Sequence, residues 1–185
     1  AVVVGVVSAA GFLVVESRER EPLLALGIFR SRTFSAANGM TLLVYGALGA
    51  VSFFTTIQLQ TVSGYGALAA GAAFVPMTLI MLSLGTRSGR LGVRIGPRVP
   101  MTVGPLIMAV GVLLMRRIDA EVNYVADVLP AMVVFGLGLT TMIAPLTATV
   151  LAAAPEEHAG IASGVNNAVA RAGSDRKSTR LNSSH

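Results

Sequence analysis

Residues 33–86 read TFSAANGMTLLVYGALGAVSFFTTIQLQTVSGYGALAAGAAFVPMTLIMLSLGT, a run of 54 positions with no Asp, Glu, Lys or Arg. As one continuous helix it would be about 81 Å long, at roughly 1.5 Å per residue. A bilayer core is only about 30 Å thick, so a single span cannot use it. The run has a natural break at QTVSGYGA, Gln60–Ala67, where polar residues and two glycines supply turn chemistry. This predicts two spans, Phe34–Leu59 and Ala67–Leu84, joined by a short hairpin connection.

The same reading extends outward. Val99–Met115 is a third, shorter span, whose flanking Arg98 and Arg116 can snorkel to headgroups. Val128–Ala153 is a fourth. Ala1–Val15 looks like the end of a span that began upstream, and Ala159–Gly173 like the start of another. The expected fold is an all-α polytopic transmembrane bundle of four complete spans and two partial ones, occupying residues 1–173. Composition agrees: of 185 residues 54% are hydrophobic and 12% charged, against about 25% charged in a soluble domain. The net charge of +5 does not make a nucleic-acid surface, which needs Lys and Arg gathered on a folded soluble face. Here the charge sits in short clusters between apolar runs. There is no Cys, so disulfides and thiolate metal sites are excluded. The two histidines, His158 and His185, fall in a loop and at the chain end. No metal site and no cofactor are expected.

Span parity sorts the connections. Glu16–Arg32, Arg87–Arg98 and Pro155–His158 lie on one side, Gln60–Gly66 and Arg116–Asp127 on the other. The first set holds eight arginines (18, 20, 30, 32, 87, 90, 94 and 98), the second only Arg116 and Arg117. The positive-inside rule puts the arginine-rich side in the cytoplasm and gives little weight to Glu16, Glu19 and Glu21. On this reading alone, the four cations of TRSGRLGVRIGPRVP, Thr86–Pro100, hold a short loop inside.

The loop also has an internal pattern. GRLGVRIGPR, Gly89–Arg98, resembles the short cytoplasmic loop motif of the major facilitator superfamily, roughly G-x-L-x-D-R-x-G-R-R/K. Gly89, Leu91, Arg94, Gly96 and Arg98 match, Arg90 lies among them, and Val93 stands where the family usually has Asp. PLLALGIFRSRTFSAAN, RIGPRVPMTVGPL and VFGLGLTTMIAPLTATVLAAAPEEHAGIASGVNNAVARAG look like the second half of the family's fourteen-span drug:proton antiporter branch, in the actinobacterial style. The resemblance runs from Ala1 to about Gly173. It implies a fragment of a secondary transporter in the plasma membrane, effluxing small amphipathic molecules against proton flow. It also implies that Gly89–Arg98 is a gating loop, whose charges contact helix ends of the opposite half and help hold one alternating-access state. Losing the Asp at 93 removes an anion able to pair with an arginine or a helix N-terminus. The family's proton-coupling carboxylates and its Gly-Pro antiporter signature belong to the first half, which this chain lacks. The implied partners are the lipid bilayer, that missing N-terminal half, small-molecule substrate and protons.

Candidate residues within the spans are few. Secondary transporters place substrate near the midplane, often where helices are interrupted. Pro76, Pro105 and Pro145 are candidate break positions, with Pro130 at a span end, because a mid-helix Pro frees a carbonyl and kinks the rod. Close packing explains the glycines of VFGLGLTTMIAP equally well. Tyr45, Gln58 and Gln60 are candidate cavity residues. In the last partial span Ser163, Asn167 and Arg171 recur at i, i+4 and i+8 and share one face, with the small pair Gly160 and Gly164 close to it. An ionisable residue inside a span is expensive and therefore a functional candidate; the alternative is an amphipathic helix start whose Arg171 reaches headgroups. Asp127 reads as a boundary charge.

A polytopic membrane enzyme would need His, Asp, Glu or Cys clustered at membrane depth. None occurs in Ala1–Gly173, so a transporter is favoured over an enzyme; a structural membrane subunit is the further alternative, which a second copy of the arginine loop about half a transporter upstream would exclude. After Gly173 the composition changes abruptly. The sequence's one Lys, Lys177, is here, and Asp175–His185, DRKSTRLNSSH, resembles the in-frame translation of a common sequencing adapter. Residues 174–185 are expected to be a non-native tail.

The arginine asymmetry yields a topology prediction. In the intact protein containing this chain, a Cys at Ser63 should react with an impermeant maleimide on whole cells. Reaction only after permeabilisation overturns the orientation.

Overall fold

The computed structural model describes residues 31–119, 121–154 and 159–175, and every element among them is helical. α1 is Arg32–Ile57 and runs on into a π-helical turn, Gln58–Val62. α2 is Ala67–Ala72 and α3 is Val75–Ile95. α4 is Arg98–Leu114, followed by a 3-10 turn at Met115–Arg117. α5 is Leu129–Ala152, entered through a π-helical turn at Tyr124–Val128, and α6 is Ala159–Asp175. Four stretches are long and apolar enough to cross a membrane: Arg32–Val62, Ala67–Ile95, Arg98–Arg117 and Tyr124–Ala152. They correspond to the four spans expected. The partial span Ala1–Val15 and most of the tail lie outside the described residues, as do Glu156, Glu157 and His158.

The element ends follow from local chemistry. The Ser31 hydroxyl accepts from the Phe34 amide at 3.3 Å and caps α1. At the entry to α5 the Asn123 side chain accepts from the amides of Val125 and Ala126, while the Asp127 carboxylate accepts from the Asn123 amide at 2.9 Å. Asp127 is thus one half of a reciprocal helix cap, which satisfies donors that a helix start leaves open. α3 does not stop with the expected span at Leu84 but continues as helix to Ile95. Arginine is a good helix former, so a cluster of it marks the membrane boundary without ending the helix. What ends α3 is Gly96, at φ 80° and ψ 154°, backbone that glycine alone adopts readily. Pro97 follows at φ −70° and starts α4.

α5 sits at the centre. Its most apolar stretch is 56% buried, against 17–22% for the other three spans. α3 and α4 pack on it, and α1 bridges it to α6. Phe135, Leu139, Met142, Leu146 and Val150 form its buried stripe and meet Phe34, Val44, Met77 and Met108 from the neighbours. At one end a second cluster, Leu59, Ala70, Ile118, Val128 and Met132, closes the bundle. There the connections are tied together: Gln58 Nε2 donates to the Ile118 carbonyl at 3.2 Å and Ser63 Oγ to the Asp119 carbonyl at 2.9 Å.

Glycines set the interhelical distances. A Cβ on Gly138 would stand 2.6 Å from the Met108 amide nitrogen and 2.7 Å from the Gly104 carbonyl oxygen. One on Gly111 would stand 2.6 Å from the Phe135 nitrogen. The backbones of α4 and α5 are therefore in near contact, as small residues allow in lipid, where apolar burial gives no net drive. Gly138→Ala should lower stability by about 1–3 kcal/mol, the usual range for overpacking. Gly85→Ala, in mid α3 with nothing within 4 Å, should be neutral or stabilising by up to about 1 kcal/mol. Thermal unfolding in detergent micelles compares them, and equal melting temperatures would remove the role given to Gly138.

Candidate functional site: the arginine-bearing corner of α3 and α4

The expected cytoplasmic loop is mostly helix. Gly89, Arg90, Leu91 and Arg94 stand in the last turns of α3, Gly96 forms the turn, and Arg98 is the first residue of α4. This corrects the loop boundaries at Arg87 and Arg98 and leaves a connection of two residues, Gly96 and Pro97. The helical register then divides the segment. Arg87, Arg90 and Arg94, at i, i+3 and i+7, lie on one face and are all exposed. Ser88, Gly89 and Gly92 lie on the other and meet α5.

That second face makes a specific contact. Pro145 has no backbone N–H, so the carbonyl of Thr141, four residues earlier, loses its helical donor. The Ser88 hydroxyl supplies a replacement from α3, donating to the Thr141 oxygen at 2.9 Å. Gly92 receives the proline ring: a Cβ there would lie 2.6 Å from Pro145 Cγ. A Cβ on Gly89 would meet the Ala144 Cβ at ordinary contact distance, 3.5 Å. One turn further along α5 the Thr149 hydroxyl bonds the Pro145 carbonyl at 2.8 Å and lies 3.7 Å from Met101 Sδ of α4. Next to Thr141, Thr140 is buried, and its hydroxyl has no partner among the described residues. A cavity of about 430 Å³ opens beside this contact, walled by the cap residue Ser31, Thr33 of α1, Gly92, Pro97, Pro145 and Ala152.

The candidate break positions separate. Pro76 does follow a break, since α2 ends at Ala72 and α3 begins at Val75. Pro105 and Pro145 lie inside uninterrupted helices, so the break expected at each is not there. At Pro145 the freed carbonyl is bonded by Ser88; at Pro105 no comparable side-chain donor is seen among the described residues. On α6, Asn167 and Arg171 are exposed and Ser163 is half-buried. The residue that reaches a neighbour is Asn166, whose Oδ1 accepts from the Thr41 hydroxyl of α1 at 2.9 Å. Gly160 and Gly164 have nothing within 4 Å, so the close approach expected there is made instead by Gly173, where a Cβ would lie 2.9 Å from the Leu42 carbonyl oxygen. Gln58 lines a cavity of about 490 Å³ between α1 and α4, whereas Gln60 is exposed. Among the described residues no group of His, Asp and Glu could hold a metal. Ser88, Gly92 and Asn166 were missed because each acts across helices. A signal for Ser88 did exist: a proline deep in a span requires a foreign donor for its freed carbonyl.

Residues 1–174 match the Major Facilitator Superfamily; the chain belongs to it, and it is a multi-pass membrane protein. It is 34% identical over 169 residues to the tetracenomycin C resistance and export protein of Streptomyces glaucescens, covering 91% of this chain and 31% of that protein. It is 31% identical over 168 residues to the multidrug resistance protein Stp of Mycobacterium tuberculosis, covering 91% and 31%. To the quinolone resistance protein NorB of Staphylococcus aureus it is 31% identical over 166 residues, covering 88% and 35%. The chain spans about a third of the length of these relatives.

A double-mutant cycle tests the Ser88 contact. Ser88→Ala should cost about 1 kcal/mol, the net worth of one hydrogen bond, because the Thr141 carbonyl is left open. Pro145→Ala restores an N–H for that carbonyl, so Ser88→Ala should cost almost nothing in its background. Penalties that add in the double mutant, read from thermal unfolding, would refute the capping role.

Proposed function

We propose that this chain is part of the C-terminal half of a plasma-membrane transporter that exports small amphipathic molecules by alternating access, driven by inward proton flow. The observation that carries the reading is the match to three resistance or export proteins across about nine-tenths of this chain. The proton-carrying group and the opposite wall of the substrate path would come from sequence outside this chain. Within it, a cavity of about 320 Å³ between α1, α4 and α5 is lined by Met40, Val44, Pro105, Met108 and Phe135. That apolar, methionine-bearing lining suits ligands of varied shape. The face bearing half-buried Ser163 and exposed Asn167 and Arg171 would front the missing half. Residues 174–185 would take no part.

The α3–α4 corner is proposed as the gating element. Arg94 and Arg98 stand on either side of a two-residue turn, and Ser88 and Gly92 fix that turn to α5. A cation pulled by the opposite half would therefore move α3 and α5 together. The test is efflux in cells expressing the intact protein. Arg98→Ala should reduce efflux several-fold more than Arg116→Ala, which removes an exposed cation from the other end of the same helical stretch. Equal efflux at equal expression would leave the arginines a purely topological role.

A further inference from the structure

We propose that Arg87, Arg90 and Arg94 form a binding site for the phosphate of an anionic phospholipid, with an acyl chain entering the groove between α3 and α5. The inference goes beyond export; it rests on the chain spanning a membrane with its arginine-rich end in the cytoplasm, and not on what is transported. Three observations carry it.

The first is depth. The stretch Ala67–Ile95 holds 29 residues, a rise of about 44 Å at 1.5 Å per residue if the turn at Ala73–Phe74 adds no bend, while the apolar core takes about 30 Å. Measured from Ala67, Arg87 comes after roughly 30 Å, so it stands at the headgroup boundary, and Arg90 and Arg94 stand within the headgroup layer.

The second is charge. The three guanidinium groups share one helical face around Leu91 and line a cavity of about 210 Å³. All three are exposed, and none is in an ion pair among the described residues. The acidic side chains described, Asp119, Glu121 and Asp127, belong to the opposite end of the bundle. Three arginines around one hollow match a phosphodiester, which accepts from the paired N–H groups of a guanidinium. The cytoplasmic leaflet presents such anions to arginines held near its surface.

The third is the continuation of the hollow. A second cavity, of about 310 Å³, shares Arg87 and Leu91 with the first and runs deeper between Leu84 of α3 and Leu137 and Thr140 of α5. A free inorganic phosphate has no use for that apolar extension. A phospholipid places its headgroup on the arginines and a chain along the leucines, and this decides between the two sources of phosphate.

Native mass spectrometry of the purified intact protein, from micelles doped equally with phosphatidylglycerol and phosphatidylcholine, tests the site. The wild type should retain phosphatidylglycerol preferentially. Each of Arg87→Gln, Arg90→Gln and Arg94→Gln should reduce that preference by roughly fivefold, and the triple variant should abolish it. Arg116→Gln with Arg117→Gln, at the other end, should leave it unchanged. The triple Lys variant, which keeps the charges, should hold much of the preference and serves should the Gln triple not fold. The proposal is overturned by equal retention of the two lipids in the wild type, by preference that survives the single Gln variants, or by full displacement of the lipid by millimolar inorganic phosphate. Intact phosphatidylglycerol selectivity in a protein without efflux would sink the transport reading alone.

Discussion

Inside a bilayer no water completes a hydrogen bond, so each backbone carbonyl needs a donor within the protein. Pro145 breaks that rule within the central helix and Ser88 restores it from the neighbouring one. Much of the arginine-bearing end depends on this repair. It sets the rotation of α3 about its axis, because Ser88 must face α5, and that rotation brings Gly92 under the proline ring and turns Arg87, Arg90 and Arg94 away. Proline, serine and glycine thus act as one unit, with the cations as its outer surface.

The centre of the bundle follows from a related constraint. A helix packed by α1, α3, α4 and α6 cannot carry bulky side chains toward each of them. α5 solves this by alternating sizes: Gly136 against Met77, Gly138 against Met108 and Gly104, then Leu139 and Met142 filling the space beside them. Methionine suits such joints, having no branch and several soft torsions. The gaps left over, lined by Met40 and Met108 on one side and Met115 on the other, open between α1 and α4.

The spans were legible in the sequence because charge is so expensive in hydrocarbon that its absence over residues 33–86 admits one reading. Helix ends were less legible for the same reason. Charge locates the membrane surface, not the end of a helix: the expected span stops at Leu84, while the helix continues to Ile95. The residues that truly end elements were visible as types: Gly96 before Pro97, Ser31 ahead of α1, Asn123 ahead of α5. The cross-helix pairs were not. Ser88 and Thr141 are 53 residues apart, and Thr41 and Asn166 are 125 apart. Nothing in the local pattern joins them, and α6 shows how a periodicity argument can select Asn167 when its neighbour Asn166 makes the bond.

The helical state of the arginine segment changes what that segment can do. Cations on a flexible loop would each find headgroups independently, and their pull would be lost in the loop's freedom. On the last turns of a helix fixed by Gly92 and Ser88, they move as a rigid set, and any force on them is delivered to α5 at Pro145. The connection of Gly96 and Pro97 extends this to α4: at φ 80° and −70° those two residues leave little slack. α3, α4 and α5 are therefore tied together at this end, and α1, packed on α5 through Phe34 and Val44, holds α6 through Thr41, Asn166 and Gly173. Val93 fits this arrangement. With no carboxylate inside the segment to hold the arginines, their charge stays available to groups beyond these helices, so one motif can both fix orientation and answer to an anion that the membrane presents.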